Sequence, residues 1–351
     1  MSGNAAPAFA IRGLSVAFGR GAERVQALDG VDLDVARGEV RAVVGESGCG
    51  KSVTAMAALG LLPPNAARVR ADAIRLGDTD LTAPSPRDLR AVRGGRIGMV
   101  FQDPMNSLNP VLTLGLQIAE TVRRHRGVSR RAALDRAREM LDLVRIPDPD
   151  ARLHAYPHEL SGGMRQRAMI AIALACEPEL LIADEPTTAL DVTVQAQVLD
   201  LILSLQDRMG LAVLLITHDL GVVARTADRM TVMYAGRVVE EGRVAQVFAH
   251  PSHGYTAGLM RALPTMGTRE RLQDIPGSVP RLAEPAPACA FATRCAFAEP
   301  ACSAAPPPLV TLDAHHRTRC LRAEVVAAAM ADDAVPRAWR EAGAANPRVP
   351  A

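Results

Sequence analysis

The sequence predicts an α/β fold in which a parallel sheet is packed between helices. Three short apolar runs support this prediction, and each leads into glycine or polar residues: Val40–Val44, Leu180–Glu185 and Leu211–Thr217. Buried parallel strands have continuous apolar runs, and their carboxyl ends carry ligand-binding groups. We therefore expect a functional site after these runs.

Composition narrows the class of protein. The chain has 351 residues, of which 48% are hydrophobic and 22% charged, as is typical of a globular protein with one large or two smaller domains. Its net charge of +2 is too close to zero to favour nucleic acid as a partner. No run reaches the ~18 apolar residues of a membrane-spanning helix, and no secretory signal is evident. We expect a cytosolic protein whose membrane contact goes through a partner.

The first apolar run leads into GESGCGKS, Gly45–Ser52, which fits the phosphate-binding P-loop pattern. Lys51 is the single lysine, since the remaining 39 of the 40 basic residues are arginine. In such a loop the backbone amides surround phosphates, the lysine reaches the β and γ phosphates and the serine hydroxyl binds Mg²⁺. A glycine-rich turn without a ligand is the alternative for this motif alone. The predicted nucleotide-binding residues are Gly45, Ser47, Gly48, Cys49, Gly50, Lys51 and Ser52.

The second apolar run ends in two carboxylates. Asp184 is placed to hold the hydration shell of Mg²⁺, and Glu185 to polarise an attacking water. A solvated acidic turn is the alternative, but two carboxylates at a strand end in a chain with a P-loop favour nucleotide hydrolysis. The third run ends in His218, which at the same sheet edge can contact a γ-phosphate. A lone histidine there is otherwise structural.

With LSGGMRQR, Leu160–Arg167, the chain resembles the ATP-binding subunits of ABC transporters. Ser161, Gly162 and Gly163 match the signature motif of that family, which opens a helix so that its N-terminal amides and dipole can face a phosphate. Further motifs follow in the family's order over about residues 10–250. Gln102 matches the Q-loop, Ala189-Leu190-Asp191 the D-loop and His218 the switch histidine.

The resemblance implies an ATPase that uses ATP and Mg²⁺. The implied fold is an α/β P-loop NTPase core with an N-terminal antiparallel β-subdomain, an inserted α-helical subdomain and a small cysteine-containing C-terminal extension. The residues implied to be catalytic are Glu185, His218, Gln102 and Lys51, and those implied to surround Mg²⁺ are Ser52, Gln102 and Asp184. Phe18 lies where the family stacks an aromatic ring on adenine, or it is a core residue of the N-terminal sheet. Ser161, Gly162, Gly163 and Asp191 are implied to contact a nucleotide held by another subunit, because ATPase domains of this family dimerise head to tail.

The same resemblance implies the partners. The chain carries one copy of each motif, so it needs a second ABC ATPase subunit, either a sister chain or a second copy of itself. Two transmembrane permease subunits and a periplasmic or extracellular solute-binding protein complete the implied complex, without nucleic acid. The implied location is peripheral, on the cytoplasmic face of the inner (plasma) membrane.

Other segments resemble one branch of the family, the dipeptide and oligopeptide importers. They are FQDPMNSLNP from Phe101, IADEPTTALDVTVQAQVLDLI from Ile182 and HPSHGYTAGLMRALP from His250. The implied function is to energise import of di- or oligopeptides, while nickel, glutathione, opines and oligosaccharides remain open as substrates. Gly254 stands where the branch usually has proline, so we expect a looser turn there. A soluble ABC ATPase acting on ribosomes or DNA is a remote alternative, because the chain has neither a second ATPase domain nor a coiled-coil insertion.

Four of the six cysteines lie close together near the C-terminus, at Cys289, Cys295, Cys302 and Cys320. In a reducing cytosol a thiolate-bound metal is favoured over disulfides. The spacing lacks the C-x₂-C element of structural zinc sites, and ligation by cysteine alone suits a [4Fe–4S] cluster, which the resemblance associates with this extension. Zinc, assisted by His315 or His316, and unligated buried cysteines are the alternatives.

The predicted domain boundaries follow from these motifs. They are 1–255 for the ATPase domain, with its helical subdomain at about 90–166, 256–323 for the four-cysteine extension and 324–351 for a flexible tail. Within the ATPase domain, Ser129 is predicted to cap the start of one helix and Gly210 the end of another.

Overall fold

The computed structural model describes residues 6–19, 23–103, 107–188, 190–262 and 275–332. The strands are β1 (Phe9–Phe18), β2 (Val25–Val35), β3 (Val40–Val44), β4 (Ala67–Arg70), β5 (Ala73–Leu76), β6 (Thr79–Asp80), β7 (Ile97–Val100), β8 (Leu180–Asp184), β9 (Ala212–Ile216), β10 (Arg229–Tyr234), β11 (Arg237–Arg243), β12 (Val310–Asp313) and β13 (His316–Thr318). The helices are α1 (Lys51–Ala58), α2 (Pro86–Val92), α3 (Leu114–Arg126), α4 (Arg130–Leu143), α5 (Pro149–Arg152), α6 (Gly162–Leu174), α7 (Val192–Met209), α8 (Leu220–Thr226), α9 (Val244–Ala249), α10 (Gly254–Arg261) and α11 (Ala323–Asp332). None of these helices is long and apolar enough to cross a membrane.

The chain divides into two units, each made of several segments. The first unit comprises Met1–Phe9, Asp34–Glu39 and Arg75–Ile216, and the second comprises Ala10–Leu33, Val40–Ile74 and Thr217–Ala351. The domain boundaries predicted from the motifs stay predictions. Of the predicted tail, the structure describes the helix α11, and residues 333–351 lie outside the described residues.

The first unit contains three adjacent parallel strands. β8 pairs with β7 on one side and with β9 on the other. Every residue of β8 and β9 is buried, which explains why both strands have continuous apolar runs. The predicted strands are therefore confirmed, and β8 brings Asp184 to its carboxyl end.

Helices α3 to α6 lie along the chain between β7 and β8, where the helical subdomain was predicted. Ser129 caps α4, because its side chain accepts a hydrogen bond from the amide of Ala132. Gly210 ends α7 in the left-handed conformation, with a φ of 61°, which glycine adopts without steric cost. Both predicted caps are confirmed.

The second unit contains strand β3, which leads into the P-loop. β3 pairs in parallel with β10, and β10 pairs antiparallel with β11. Buried Arg41 on β3 donates to Thr231 and pairs with Glu241, and Arg317 on β13 pairs with the same carboxylate. This charged group links four strands of the unit. In the N-terminal region, β1 pairs antiparallel with β4, as predicted for the β-subdomain.

Candidate functional site

The loop between β3 and α1 is shaped by glycines. Gly45 has a φ of 151° and Gly50 a φ of 109°, values that other residues rarely adopt. A Cβ on Gly45 would lie 2.3 Å from the carbonyl oxygen of Met233, whereas a Cβ on Gly48 would meet nothing within 4 Å. The loop is therefore packed from behind and open at Gly48, as a phosphate-binding loop requires.

Lys51 turns back into this loop. Its side chain is buried, and Nζ donates to the carbonyl oxygens of Gly45 at 2.7 Å and Glu46 at 3.1 Å. A compact ammonium with three donors fits between two carbonyls, which a planar guanidinium does not. This geometry gives a physical reason for a lysine in a chain that otherwise uses arginine.

The other predicted residues of the loop have different environments. Ser47 and Gly48 are exposed, Ser52 is half-buried, and Cys49 is buried, so that burial raises the pKa of its thiol. Phe18 is half-buried at the end of β1. Ser52 lies in the first turn of α1, where backbone amides and the helix dipole favour an anion.

At the carboxyl end of β8, Asp184 is buried and Glu185 is held in an unusual conformation. Glu185 has a φ of 46°, and its amide donates to the carbonyl oxygen of Ile216 at 2.8 Å. Its Oε2 accepts hydrogen bonds from Gln102 Nε2 at 3.1 Å and from Thr188 Oγ1 at 2.9 Å. Left-handed backbone at a non-glycine residue is typical of functional sites. The structure thus joins Gln102 to Glu185 and adds Thr188, which the sequence analysis missed although it lies three positions after Glu185.

His218 follows β9 and is exposed. The next residue, Asp219, caps α8 by accepting hydrogen bonds from the amides of Gly221 at 2.8 Å and Val222 at 3.1 Å. A cap of this kind fixes the start of α8, and therefore the backbone beside the histidine.

The signature residues open α6. Ser161 Oγ accepts a hydrogen bond from the amide of Met164 at 3.3 Å. Gly163 cannot be replaced without movement, because a Cβ there would lie 2.7 Å from Val194, whereas a Cβ on Gly162 would have an ordinary contact of 3.6 Å with Leu190. Ser161 and Gly162 are exposed at the helix start.

A cavity of about 480 Å³ lies beside this helix start, lined by the signature residues together with Arg145, Arg167 and Asp191. Burial, with the charge of Arg145 nearby, lowers the pKa of Arg167. The two arginines and the helix dipole favour an anion in this cavity. Asp191 caps α7 by accepting a hydrogen bond from the amide of Val194 at 2.9 Å, and Ala189 of the predicted D-loop lies outside the described residues.

The four predicted cysteines line one small pocket, together with aromatic residues that include Phe291 and Phe297. Backbone amides face the sulfurs, as those of Phe297 and Arg322 donate to Cys295 Sγ and Cys320 Sγ at 3.4 Å each. Burial raises the pKa of the Cys289 and Cys295 thiols, and raises that of Cys320 to about 11.

No group of three or more His, Cys, Asp or Glu among the described residues has an arrangement that could hold a metal ion. His316 Nε2 lies 2.7 Å from Glu240 Oε1, and His315 Nε2 lies 3.3 Å from Arg243. Neither histidine lines the cysteine pocket. The structure therefore gives no support to a zinc site assisted by these histidines.

The prediction of a looser turn at Gly254 is wrong. Gly254 begins α10 and is buried, and the preceding His253 caps the helix by accepting a hydrogen bond from the amide of Tyr255. A Cβ on Gly254 would lie 2.5 Å from Cys295 Sγ. Glycine is present because the helix start passes directly against a cysteine of the pocket.

A phosphate-binding loop at a helix start, a strand that leads into two acidic residues and a signature helix with an exposed start define a P-loop nucleotide-binding protein. Comparison with known proteins specifies the family. The model for "ABC transporter" matches residues 28–188, and the model for "Oligopeptide/dipeptide transporter, C-terminal region" matches residues 239–302. The chain belongs to the ATP-binding proteins of ABC transporters. This membership confirms the predicted family, the α/β ABC ATPase fold and the predicted ATPase activity.

This chain is similar to several transporter proteins over most of their length. The chain is 56% identical to a probable peptide ABC transporter ATP-binding protein of Sinorhizobium fredii, over 86% of this chain and 90% of that protein. It is 50% identical to the dipeptide transport ATP-binding protein DppD of Bacillus subtilis, over 81% and 85%. A solved dimeric structure of MJ0796, a bacterial ABC transporter cassette, matches with a TM-score of 0.59 and 28% identity, over 67% of this chain and 98% of that chain.

Proposed function

We propose that this chain is the ATP-hydrolysing subunit of an ABC importer for di- or oligopeptides. The observation that carries the proposal is the combination of an ATPase domain with the oligopeptide/dipeptide transporter C-terminal region in one chain. The names of relatives at 50% to 56% identity support the peptide class. The role proposed for the chain is to supply the energy of import by hydrolysing ATP.

In the proposed hydrolysis, Glu185 is the general base. It takes a proton from a water whose oxygen bonds to the γ-phosphorus while the bond between that phosphorus and the leaving ADP oxygen breaks. The hydrogen bonds from Gln102 and Thr188 hold the Glu185 carboxylate in one orientation. His218 is proposed to contact the γ-phosphate.

The P-loop is proposed to bind the nucleotide. Lys51 Nζ, which binds two backbone carbonyls in the structure, is the group proposed for the β and γ phosphates. When bound, Mg²⁺ neutralises charge on the phosphate oxygens, and Ser52, Gln102 and Asp184 are the residues that would hold it. Their hydroxyl, amide and carboxylate oxygens are the donor types that Mg²⁺ prefers.

We propose that a second ATPase subunit completes each site by facing the signature helix of this chain. The exposed start of α6 and the cavity beside it support this proposal, as does the dimeric state of MJ0796. Two permease subunits and a solute-binding protein are the other proposed partners, and the cytoplasmic face of the membrane is the proposed location.

We further propose a [4Fe–4S] cluster on Cys289, Cys295, Cys302 and Cys320. The shared pocket, its aromatic lining and the amides that face the sulfurs support it, because hydrogen bonds to thiolates stabilise such clusters. The donor set also fits, because [4Fe–4S] clusters are held by four cysteine thiolates. When bound, the cluster would link the four cysteines to one another.

One purification tests these proposals together. The tagged chain is isolated anaerobically from its native membranes, and the proteins that accompany it are identified by mass spectrometry. We expect two permeases, a second ABC ATPase and a solute-binding protein that binds peptides. Ribosomal or DNA-repair proteins without permeases would contradict the transport proposal.

The same eluate tests the cluster. We expect about four iron and four sulfide ions per chain, lost on Cys302→Ser and retained on Cys176→Ser, since Cys176 is a buried cysteine outside the pocket. Zinc without sulfide, or iron content unchanged by Cys302→Ser, would contradict the proposed cluster.

A further inference from the structure

The P-loop is held by two residues of the C-terminal region. The hydroxyl oxygen of Tyr255 accepts a hydrogen bond of 2.6 Å from the amide of Glu46. Arg294 donates to both carboxylate oxygens of Glu46, from Nη1 at 3.1 Å and from Nη2 at 3.2 Å. Both the backbone and the side chain of one P-loop residue are therefore fixed from more than 200 positions away in the sequence, with separations of 209 and 248 residues.

Arg294 is itself rigidly placed. Its side chain is 7% exposed, and its remaining donors reach the carbonyl oxygens of Pro276 at 2.6 Å and Gly277 at 3.2 Å and the hydroxyl of Tyr234 at 3.2 Å. A guanidinium with its donors engaged in this way presents a fixed fork to a carboxylate. The fork, rather than the flexible carboxylate, sets the position of the Glu46 side chain.

Tyr255 is equally well placed. It is fully buried, its amide donates to His253 Nδ1 at 3.1 Å, and its ring packs on Tyr234 and Phe291 at centroid distances of 4.7 and 5.4 Å. Burial raises the pKa of its hydroxyl, and the hydroxyl oxygen accepts the hydrogen bond of the Glu46 amide. The aromatic cluster thus carries a fixed acceptor to the second residue of the P-loop.

The negative charge of Glu46 gives a reason for Arg294 to lie beside the P-loop. Glu46 lies between Gly45 and Ser47 in the loop whose amides are proposed to receive phosphates, and an unpaired carboxylate there would repel a polyphosphate. Arg294 balances this charge through its two hydrogen bonds to the carboxylate. No other cation is paired with Glu46 among the ion pairs of the described residues.

We propose that Arg294 and Tyr255 are positioning residues of the nucleotide site, so that the C-terminal region takes part in ATP binding. Arg294 neutralises and orients the Glu46 side chain, and Tyr255 orients the Glu46 amide. The proposal rests on the proposed binding of ATP by the P-loop. Because Arg294 directly precedes Cys295 of the cysteine pocket, the fold of that pocket and the shape of the P-loop are linked.

Equilibrium binding of ATP and ADP to the purified full chain tests the proposal. We expect Arg294→Ala to raise the Kd for ATP about tenfold and the Kd for ADP less, because ATP carries one more negative charge. Combining Arg294→Ala with Glu46→Gln removes the unpaired carboxylate, and we expect the double variant to recover most of the lost ATP affinity. Arg281→Ala is the matched control, since Arg281 is an exposed arginine of the same region.

Two milder variants cover the case in which Arg294→Ala does not fold. Arg294→Lys keeps the charge and loses the fork, so we expect an intermediate Kd. Tyr255→Phe removes the hydroxyl acceptor alone, so we expect the Kd for ATP and the Kd for ADP to rise by the same factor. In the assembled complex, Arg294→Ala should raise the KM for ATP and leave kcat within about twofold of the parental value.

Equal losses of ATP and ADP affinity on Arg294→Ala, with no recovery in the double variant, would overturn the charge role. Parental ATP affinity in both Arg294→Lys and Tyr255→Phe would overturn the positioning roles. Failure of the parental chain to bind ATP at all would instead contradict the proposed function, so the two failures are distinguishable.

Discussion

The P-loop and the start of the signature helix both carry motifs proposed to face a phosphate, yet their packing within the chain differs. The P-loop encloses a buried Lys51 and is anchored through Glu46 to Tyr255 and Arg294. The signature helix begins in the open, with exposed Ser161 and Gly162 beside a cavity of about 480 Å³. One element is held in shape by its own chain, and the other is presented outward.

This difference suits the two elements to different roles. A pre-shaped loop loses little conformational entropy when it binds a ligand, which favours nucleotide binding by that element alone. An exposed helix start offers amides and a dipole to an anion that arrives from outside. The P-loop is therefore proposed to bind the nucleotide, and the signature helix to complete a neighbouring site.

The largest expected effect comes from the base. Glu185→Gln keeps a group that can accept the hydrogen bonds of Gln102 and Thr188 but removes the proton acceptor, so we expect ATP hydrolysis by the assembled complex to fall about 10³-fold. ATP binding should be unchanged, which separates binding from hydrolysis. Glu139→Gln is the control, because Glu139 is an exposed glutamate on α4. Parental hydrolysis by Glu185→Gln would refute the assignment of the base.

Lys51→Arg is expected to have the next largest effect. It preserves the charge but replaces a compact ammonium, held by two carbonyls, with a planar fork that does not fit. We expect hydrolysis to fall about 100-fold, with loss of ATP binding, because the P-loop can no longer close correctly. Parental activity in a steady-state ATPase assay would mean that the single lysine reflects composition alone.

Acid should destabilise the region that anchors the P-loop, because buried His253 accepts a hydrogen bond from the amide of Tyr255 there. Burial lowers the pKa of His253, whose Nδ1 accepts the Tyr255 amide, to about 4. In the unfolded chain His253 takes up a proton below its ordinary pKa of 6.5, whereas in the folded chain it does so only below about 4. The contribution of neutral His253 to the free energy of unfolding is therefore complete above pH 6.5 and is lost as the pH falls towards about 4. The loss is at most roughly 3 kcal/mol.

Calorimetry checks this expectation. We expect the melting temperature of the full chain to fall between pH 6.5 and about 4, and to fall less in His253→Asn, which cannot take up a proton there. The same pH dependence in both chains would show that other groups cause it.

Local features were predictable from the sequence, whereas long-range pairs were not. The strand before the P-loop, the cap by Ser129 and the end of α7 at Gly210 follow from short-range patterns and were predicted. The bond between Gln102 and Glu185 spans 83 positions, and the sequence suggested these residues only through the family resemblance. The bond from Arg294 to Glu46 spans 248 positions and was missed.

The prediction of a looser turn at Gly254 failed for the same reason, a contact between distant segments of the chain. Glycine occupies this position because a Cβ would lie only 2.5 Å from the sulfur of Cys295. Cys295 lies in a distant segment of the chain. Neither composition nor periodicity around Gly254 reports that neighbour, because packing between distant segments is decided by the tertiary fold.

The division of labour between the P-loop and the signature helix is tested most directly with Gly162→Asp. An aspartate fits this helix start, where a Cβ has an ordinary contact of 3.6 Å, but its charge opposes an arriving phosphate. Gly162→Ala is the matched control. We predict that the isolated Gly162→Asp chain binds ATP with the parental Kd, while the assembled complex loses hydrolysis about 100-fold. Loss of ATP binding by the isolated chain, as in Lys51→Arg, would contradict the account, because the signature helix would then serve the nucleotide of its own chain.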